Sequence, residues 1–210
     1  MRPCKGNEPM KKIVVAITGA SGSVYGLRLT EELLGAGCRV TLLLSRSGLD
    51  VLRYETGLEW EGTASQRQAL MQDYFSGSRK LEHFDERDLF APVASGSSAP
   101  DAVVVSPCSM GSMGRMAAGS SETLIERVAD VALKERRELV LVPRETPLSQ
   151  IHLENLLKLS RAGARILPAM PAFYHRPHRI EELVDFVVGK ILDSLAVEHR
   201  LFQRWGESEG

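Results

Sequence analysis

The chain has 210 residues, 43% hydrophobic and 25% charged, with 26 Lys+Arg against 27 Asp+Glu for a net charge of −1. That length supports one domain that buries its own core, and the composition excludes a disordered, collagen-like or disulfide-stapled chain. Balanced charge gives no broad nucleic-acid-binding face.

The first ten residues are polar and carry Pro3, Gly6 and Pro9. They read as a flexible extension, with Met10 as an alternative start, ahead of a single domain over residues 11–210. Residues 13–17, Ile-Val-Val-Ala-Ile, read as a buried strand that ends in Thr18-Gly19-Ala20-Ser21-Gly22. Val24, Leu27, Leu33 and Leu34 then recur at helical spacing up to residue 35. A second apolar run covers 40–44, and a helix is expected from about 47 to 56. Strand, glycine-rich turn, helix and strand make a βαβ unit. Residues 57–80 are less patterned, with a helix expected over 66–74. Small residues fill a loop at 94–100. A strand follows over 102–105, ending in Ser106-Pro107-Cys108-Ser109, and then a Gly/Met segment at 110–119. Leu124, Ile125, Val128, Val131 and Ala132 mark one helical face, residues 139–143 a strand, 149–162 a helix and 164–167 a last short strand. The apolar stripe from Ile180 to Leu195 is the cleanest in the chain. The alternation predicts a doubly wound α/β fold, a Rossmann-like or flavodoxin-like three-layer sandwich with a mainly parallel sheet.

Cys4, Cys38 and Cys108 form no zinc or redox spacing and read as reduced thiols of a cytoplasmic protein. No apolar run approaches the ~18 residues of a membrane span, and residues 13–17 are too short for a signal-peptide core.

In this architecture ligands sit beyond the carboxyl ends of the strands. Gly19, Ala20, Ser21 and Gly22 can aim backbone N–H groups and a hydroxyl at an anion. The turn is neither GxGxxG nor a Walker A motif. The second strand ends in Leu44-Ser45-Arg46-Ser47 with no acid to grip a ribose. This disfavours NAD and leaves NADP, through Arg46, or a mononucleotide held by hydroxyls and amides. No Tyr is followed four residues later by Lys, so the reductase dyad is missing and the NADP reading weakens. Ser109, Met110, Gly111 and Ser112 supply a second hydroxyl-and-amide nest. Met110, Met113 and Met116 recur every three residues, a spacing more often used for packing than for a cofactor surface. Arg127 and Lys134 share one helical face, in the bland reading a solvated one paired with Glu126 or Asp130. Arg144-Glu145 follows a strand, and Tyr174 offers a phenol among cations. His175 and His178 flank Pro177 without further ligands, so no metal site is expected. Spacing alone therefore reaches an α/β protein that binds a small phosphorylated ligand, with flavin mononucleotide among the candidates.

The assembled motifs resemble the UbiX/Pad flavin prenyltransferases over residues 11–206. The resemblance is carried by Thr18-Gly19-Ala20-Ser21-Gly22 with Tyr25-Gly26, by Ala94-Ser95-Gly96-Ser97, and by Lys134-Glu135-Arg136-Arg137. Pro143-Arg144-Glu145-Thr146-Pro147, Ile151-His152-Leu153-Glu154-Asn155, Ala172-Phe173-Tyr174-His175-Arg176-Pro177 and Arg204-Trp205-Gly206 complete it. It implies transfer of a dimethylallyl group from dimethylallyl monophosphate to N5 and C6 of reduced FMN, without a metal. The prenylated FMN would serve a UbiD-type decarboxylase. It also implies a homo-oligomer, a dodecamer, with sites between subunits. FMN contacts would fall on Gly19, Ala20, Ser21, Ser45, Ser109, Met110, Gly111, Ser112 and Arg144. Dimethylallyl-phosphate contacts would fall on Tyr174 and Lys190. Arg127 and Lys134 match positions near that phosphate, and Glu55 and Glu145 match acids near the reacting flavin. Glu55 and Lys190 come from the resemblance alone, since by pattern both are ordinary helix-surface charges. Ser112 stands where many members have Thr, Lys190 where some have Arg, and Glu122-Thr123 where an Asp-Asn or Asn-Asn pair is common.

Two other readings compete. A sister flavoprotein that decarboxylates peptidyl or pantothenoyl cysteine would need an active-site His and a Pro-Ala-Ser-Ala-Asn-Thr run, and neither is found. A non-catalytic flavin carrier would have no use for Lys134, Glu145, Tyr174 and Lys190 together.

Overall fold

A computed structural model describes residues 10–206. The expected extension lies, apart from Met10, outside the described residues. The elements run β1 (Lys12–Ile17), α1 (Ser23–Gly35), β2 (Arg39–Leu44), α2 (Arg46–Thr56), α3 (Ala64–Tyr74) and β3 (Leu81–His83). Two 3-10 turns, Pro92–Ala94 and Gly96–Ser98, occupy the small-residue loop. Then come β4 (Ala102–Cys108), α4 (Met110–Ala118), α5 (Leu124–Lys134), β5 (Glu138–Pro143), α6 (Gln150–Arg161), β6 (Arg165–Ile166) and α7 (Ile180–Ser194).

All strand pairs are parallel, in the order β3-β2-β1-β4-β5-β6. This is the order of dinucleotide-binding sheets, and it reverses direction between β1 and β4. The central strands are buried on both faces, which is why they read as unbroken apolar runs rather than alternating ones. Ile13, Val15, Ile17, Val40 and Leu42 point into one core with α1 and α7. Val14, Ala16, Val103, Val105 and Leu141 point into the other with α4, α5 and Leu159 of α6. The result is helix–sheet–helix in three layers, as expected.

Two elements, α4 and β3, have no assignment in the sequence reading. The Gly/Met segment is a helix, α4, capped by Ser109, whose hydroxyl accepts from the Ser112 amide, and closed by Gly119 in the left-handed region. Gly111 and Gly114 weaken it intrinsically, but burial of Met113 and Met116 overrides that cost. The methionine spacing is thus packing for these two. The edge strand β3 is too short to leave a pattern. It is fixed by His83, whose Nδ1 bonds the Leu42 carbonyl at 2.8 Å while Arg67 Nε meets its Nε2 at 3.1 Å. At the unusual Glu122-Thr123 pair, Thr123 caps α5 in a reciprocal box with Glu126.

After α7 the chain folds back along that helix. A Cβ on Gly189 would lie 2.5 Å from Phe202 Cε1 and 2.7 Å from His199 Cε1, so glycine is what lets this strap seat. Asp193 anchors it, accepting from His199 Nε2 at 3.1 Å and from Arg204 Nη2 at 2.6 Å.

Candidate functional site

Three helices follow β1, β2 and β4, which are neighbours in the sheet: α2 and α4 begin after a single residue and α1 after the turn at 18–22. Their N-termini therefore converge at the switch point. The junction is tied by Thr18, fully buried, whose hydroxyl donates to the Pro107 carbonyl at 2.8 Å and accepts from the Ser109 amide at 2.8 Å. A Cβ on Gly19 would collide with the Ser47 side chain, and one on Gly48 would sit 2.5 Å from the Ile17 carbonyl oxygen. The first turn and the start of α2 thus interlock.

Ser45 caps α2, accepting from Gly48 N at 3.0 Å, and its hydroxyl lies 3.2 Å from that of Ser47. Ser109 caps α4 in the same way and donates to the Ser112 hydroxyl at 3.1 Å. Gly22 adopts φ 108 and provides α1 with no side-chain cap. Glu55, reaching from the end of α2, fills that role. Its carboxylate accepts from Gly22 N at 2.9 Å and from Ser23 N at 2.9 Å. Burial by itself would raise the Glu55 pKa, but the Ser21 hydroxyl and the two amides outweigh it and hold the carboxyl below its usual range. Arg144, from the end of β5, donates to the Ser21 carbonyl at 2.9 Å. Beside it Glu145 is exposed and accepts from Thr146 N at 3.0 Å.

Gly19, Ala20, Ser21, Ser45, Ser109, Met110, Gly111, Ser112, Arg144 and Glu55 thus belong to one neighbourhood. Its donors are hydroxyls and helix-start amides, a set that suits a phosphate monoester. A Cβ on Gly111 would meet only Arg115 Nη1, at 3.6 Å, so the backbone there is open to a ligand. On these grounds the residues fit FMN. Thr18 and Ser47 were given no role in the sequence reading. Ser47 recurs two residues after Ser45, and that spacing was the available signal.

Arg127 and Lys134 project from α5 into a cleft of about 510 Å³ shared with Phe90, Ser95, Gly96 and Ser97. Arg127 Nε donates to the Ala94 carbonyl at 3.2 Å, and Arg127 approaches Asp130 at 3.7 Å. Lys134 pairs with Glu135 at 2.8 Å. Glu126, offered as an alternative ion-pair partner, turns away to Arg115.

Tyr174 and Lys190 form a third group. Tyr174 packs edge-on against Phe186 and Trp205, with centroids 5.9 and 5.2 Å away. Lys190 lies 3.8 Å from Asp193. Among the described residues no hydrogen bond, ion pair or ring contact joins this group to Arg127 or Lys134. His175 stacks on Phe186 at 5.6 Å. Among the described residues no group of three or more His, Cys, Asp or Glu could hold a metal ion. None of their helices is long and apolar enough to cross a membrane.

Comparison with known proteins gives a concordant picture. The family model described as Flavoprotein matches residues 1–192. A protein of Alkalihalophilus pseudofirmus named flavin prenyltransferase UbiX is 51% identical over 203 residues, covering 96% of this chain and 100% of the relative. The crystal structure of AnUbiX in complex with FMN and dimethylallyl pyrophosphate superposes with a TM-score of 0.84 at 40% identity, covering 96% of this chain and 100% of that one. A dodecameric FMN-dependent UbiX-like decarboxylase from Escherichia coli gives a TM-score of 0.81 at 38% identity, covering 93% and 100%.

Proposed function

The chain belongs to the Flavoprotein family, in its UbiX flavin prenyltransferase branch, and from that premise we propose how its residues divide the work. The reaction moves a dimethylallyl group from dimethylallyl monophosphate to N5 and C6 of reduced FMN. The allylic C–O bond breaks and phosphate departs; the new N–C bond replaces the N5 proton, and the C–C bond replaces the C6 proton, which is balanced by a proton added to the allyl double bond. The observation that carries this reading is the convergence of three helix starts and their serine hydroxyls at the switch point of the sheet.

In this proposal residues 11–210 form one flavin-binding domain. Gly19, Ala20, Ser21, Ser45, Ser109, Met110, Gly111, Ser112 and Arg144 hold FMN. Arg127, Lys134 and Lys190, with the Tyr174 phenol, stabilise the departing phosphate charge through fixed cations, which stand in for a metal. Glu145 and Glu55, with Ser21, surround the reacting flavin. Of the two carboxylates Glu145 is the better placed to carry a proton, being exposed with one backbone bond. Glu55 is occupied as an ionised acceptor for α1. Copies of the chain assemble, as a dodecamer, so that Tyr174 and Lys190 of one meet Arg127 and Lys134 of another. The prenylated FMN passes to a UbiD-type decarboxylase in the cytoplasm.

The test is anoxic incubation of the protein with reduced FMN and dimethylallyl monophosphate, read by mass spectrometry of the flavin. The expected product is heavier by one isoprene unit, and bound FMN of unchanged mass overturns the activity. Lys134→Ala and Lys190→Ala should each lower turnover at least tenfold while leaving FMN affinity intact. Parallel loss of binding and turnover would contradict the roles assigned.

A further inference from the structure

Arg115 belongs to none of the groups above, yet its guanidinium lies beside the α4 nest. Nη2 donates to the Ser112 hydroxyl at 3.3 Å, the same hydroxyl that receives Ser109 Oγ. Nη1 is the atom that a Cβ on Gly111 would meet. The opposite edge is fixed, with Nε donating to Glu126 Oε1 at 2.5 Å. Glu126 is itself immobile. It is 1% exposed and its second oxygen accepts from Ser120 Oγ at 3.2 Å, Glu122 N at 2.9 Å and Thr123 N at 3.1 Å. A half-exposed arginine is therefore held in one orientation by a buried carboxylate, with its free edge along the nest.

The nest otherwise offers only neutral donors, and the Ser45 and Ser109 oxygens already accept a helix amide each. Arg144, another cation of the neighbourhood, is directed at the Ser21 carbonyl. A phosphate monoester is a dianion near neutral pH, and a guanidinium preorganised beside it adds attraction without an ordering cost at binding.

We propose that Arg115 is the cation that pairs with the phosphate of FMN, that Glu126 positions it, and that the two together set the preference for FMN over riboflavin. This rests on the FMN reading of the site and adds a residue to it. The experiment is titration of flavin-free protein with oxidised FMN and, separately, riboflavin, followed by flavin fluorescence. Wild type should prefer FMN. Arg115→Ala should weaken FMN by about 10- to 100-fold, the range of one charge-assisted hydrogen bond, with riboflavin affinity unchanged and a shallower salt dependence for FMN. Arg115→Lys should recover part of the preference, and Glu126→Gln should lower it without removing it. Should the alanine variant lose FMN and riboflavin affinity equally, or lose neither, Arg115 is a packing residue and the proposal is overturned. A folded wild type with no affinity for FMN would instead overturn the flavin reading itself.

Discussion

At the scale of single residues, Glu55 shows how an unremarkable position acquires a role. In sequence it is one more charge on a helix. In space it replaces the missing cap of α1, across a separation of 33 residues that no local pattern can encode. Lys190 is a parallel case, a helix charge beside Asp193 of the same helix, the carboxylate that Arg204 of the strap also reaches. Ser45 and Ser109, by contrast, were legible as site hydroxyls, because in a doubly wound sheet the residues just beyond each apolar run line the crevice. Glu55→Gln should cost about 1 kcal/mol at neutral pH, the scale of a lost N-terminal cap. The native carboxyl titrates below its unfolded value, so its contribution is present above that value, near 4.3, and is lost as pH falls through the native pKa. Urea unfolding of wild type and variant should therefore differ at pH 7 and converge on acidification. A gap that stays constant down to pH 3 would remove the carboxylate from the account.

At the scale of elements, what was readable depended on burial. The strands β1, β2, β4 and β5 are covered on both faces and announce themselves as apolar runs. The helices α5 and α7 bury one stripe and were equally plain. The helix α4 was not readable, since Gly111 and Gly114 argue for a loop and only the packing of Met113 and Met116 decides otherwise. The seating of the strap was not readable either, because Gly189 looks like a weak point in the α7 stripe until His199 and Phe202 are placed against it. Alanine at 189 favours the helix by up to about 1 kcal/mol, but crowding of a packed contact costs about 1–3 kcal/mol. Gly189→Ala should accordingly displace the strap, loosen the Trp205–Tyr174 contact, and expose Arg200 and Arg204 to trypsin earlier than in wild type. Unchanged cleavage would mean that the strap tolerates the methyl group.

At the scale of the molecule, a net charge of −1 conceals cations sorted into separate places. Arg144 stands at the switch point, Arg127 and Lys134 line the α5 cleft, and Lys190 lies beside the strap. The fold class was legible from the alternation of elements, whereas this partition was not, because it depends on which side of the sheet each helix takes. The partition has a consequence for mixtures of variants. If one copy supplies Arg127 and Lys134 and another supplies Lys190, then Lys134→Ala and Lys190→Ala subunits, each impaired at least tenfold alone, should restore activity when co-assembled. Random equal mixing leaves about a quarter of the composite sites whole in a symmetric assembly, so roughly that share of wild-type turnover is expected. Mixing that restores nothing would confine each site to a single chain. Heredity would feel the difference too: a defective copy of this protein would damage its neighbours' chemistry, and two differently defective copies would heal one another.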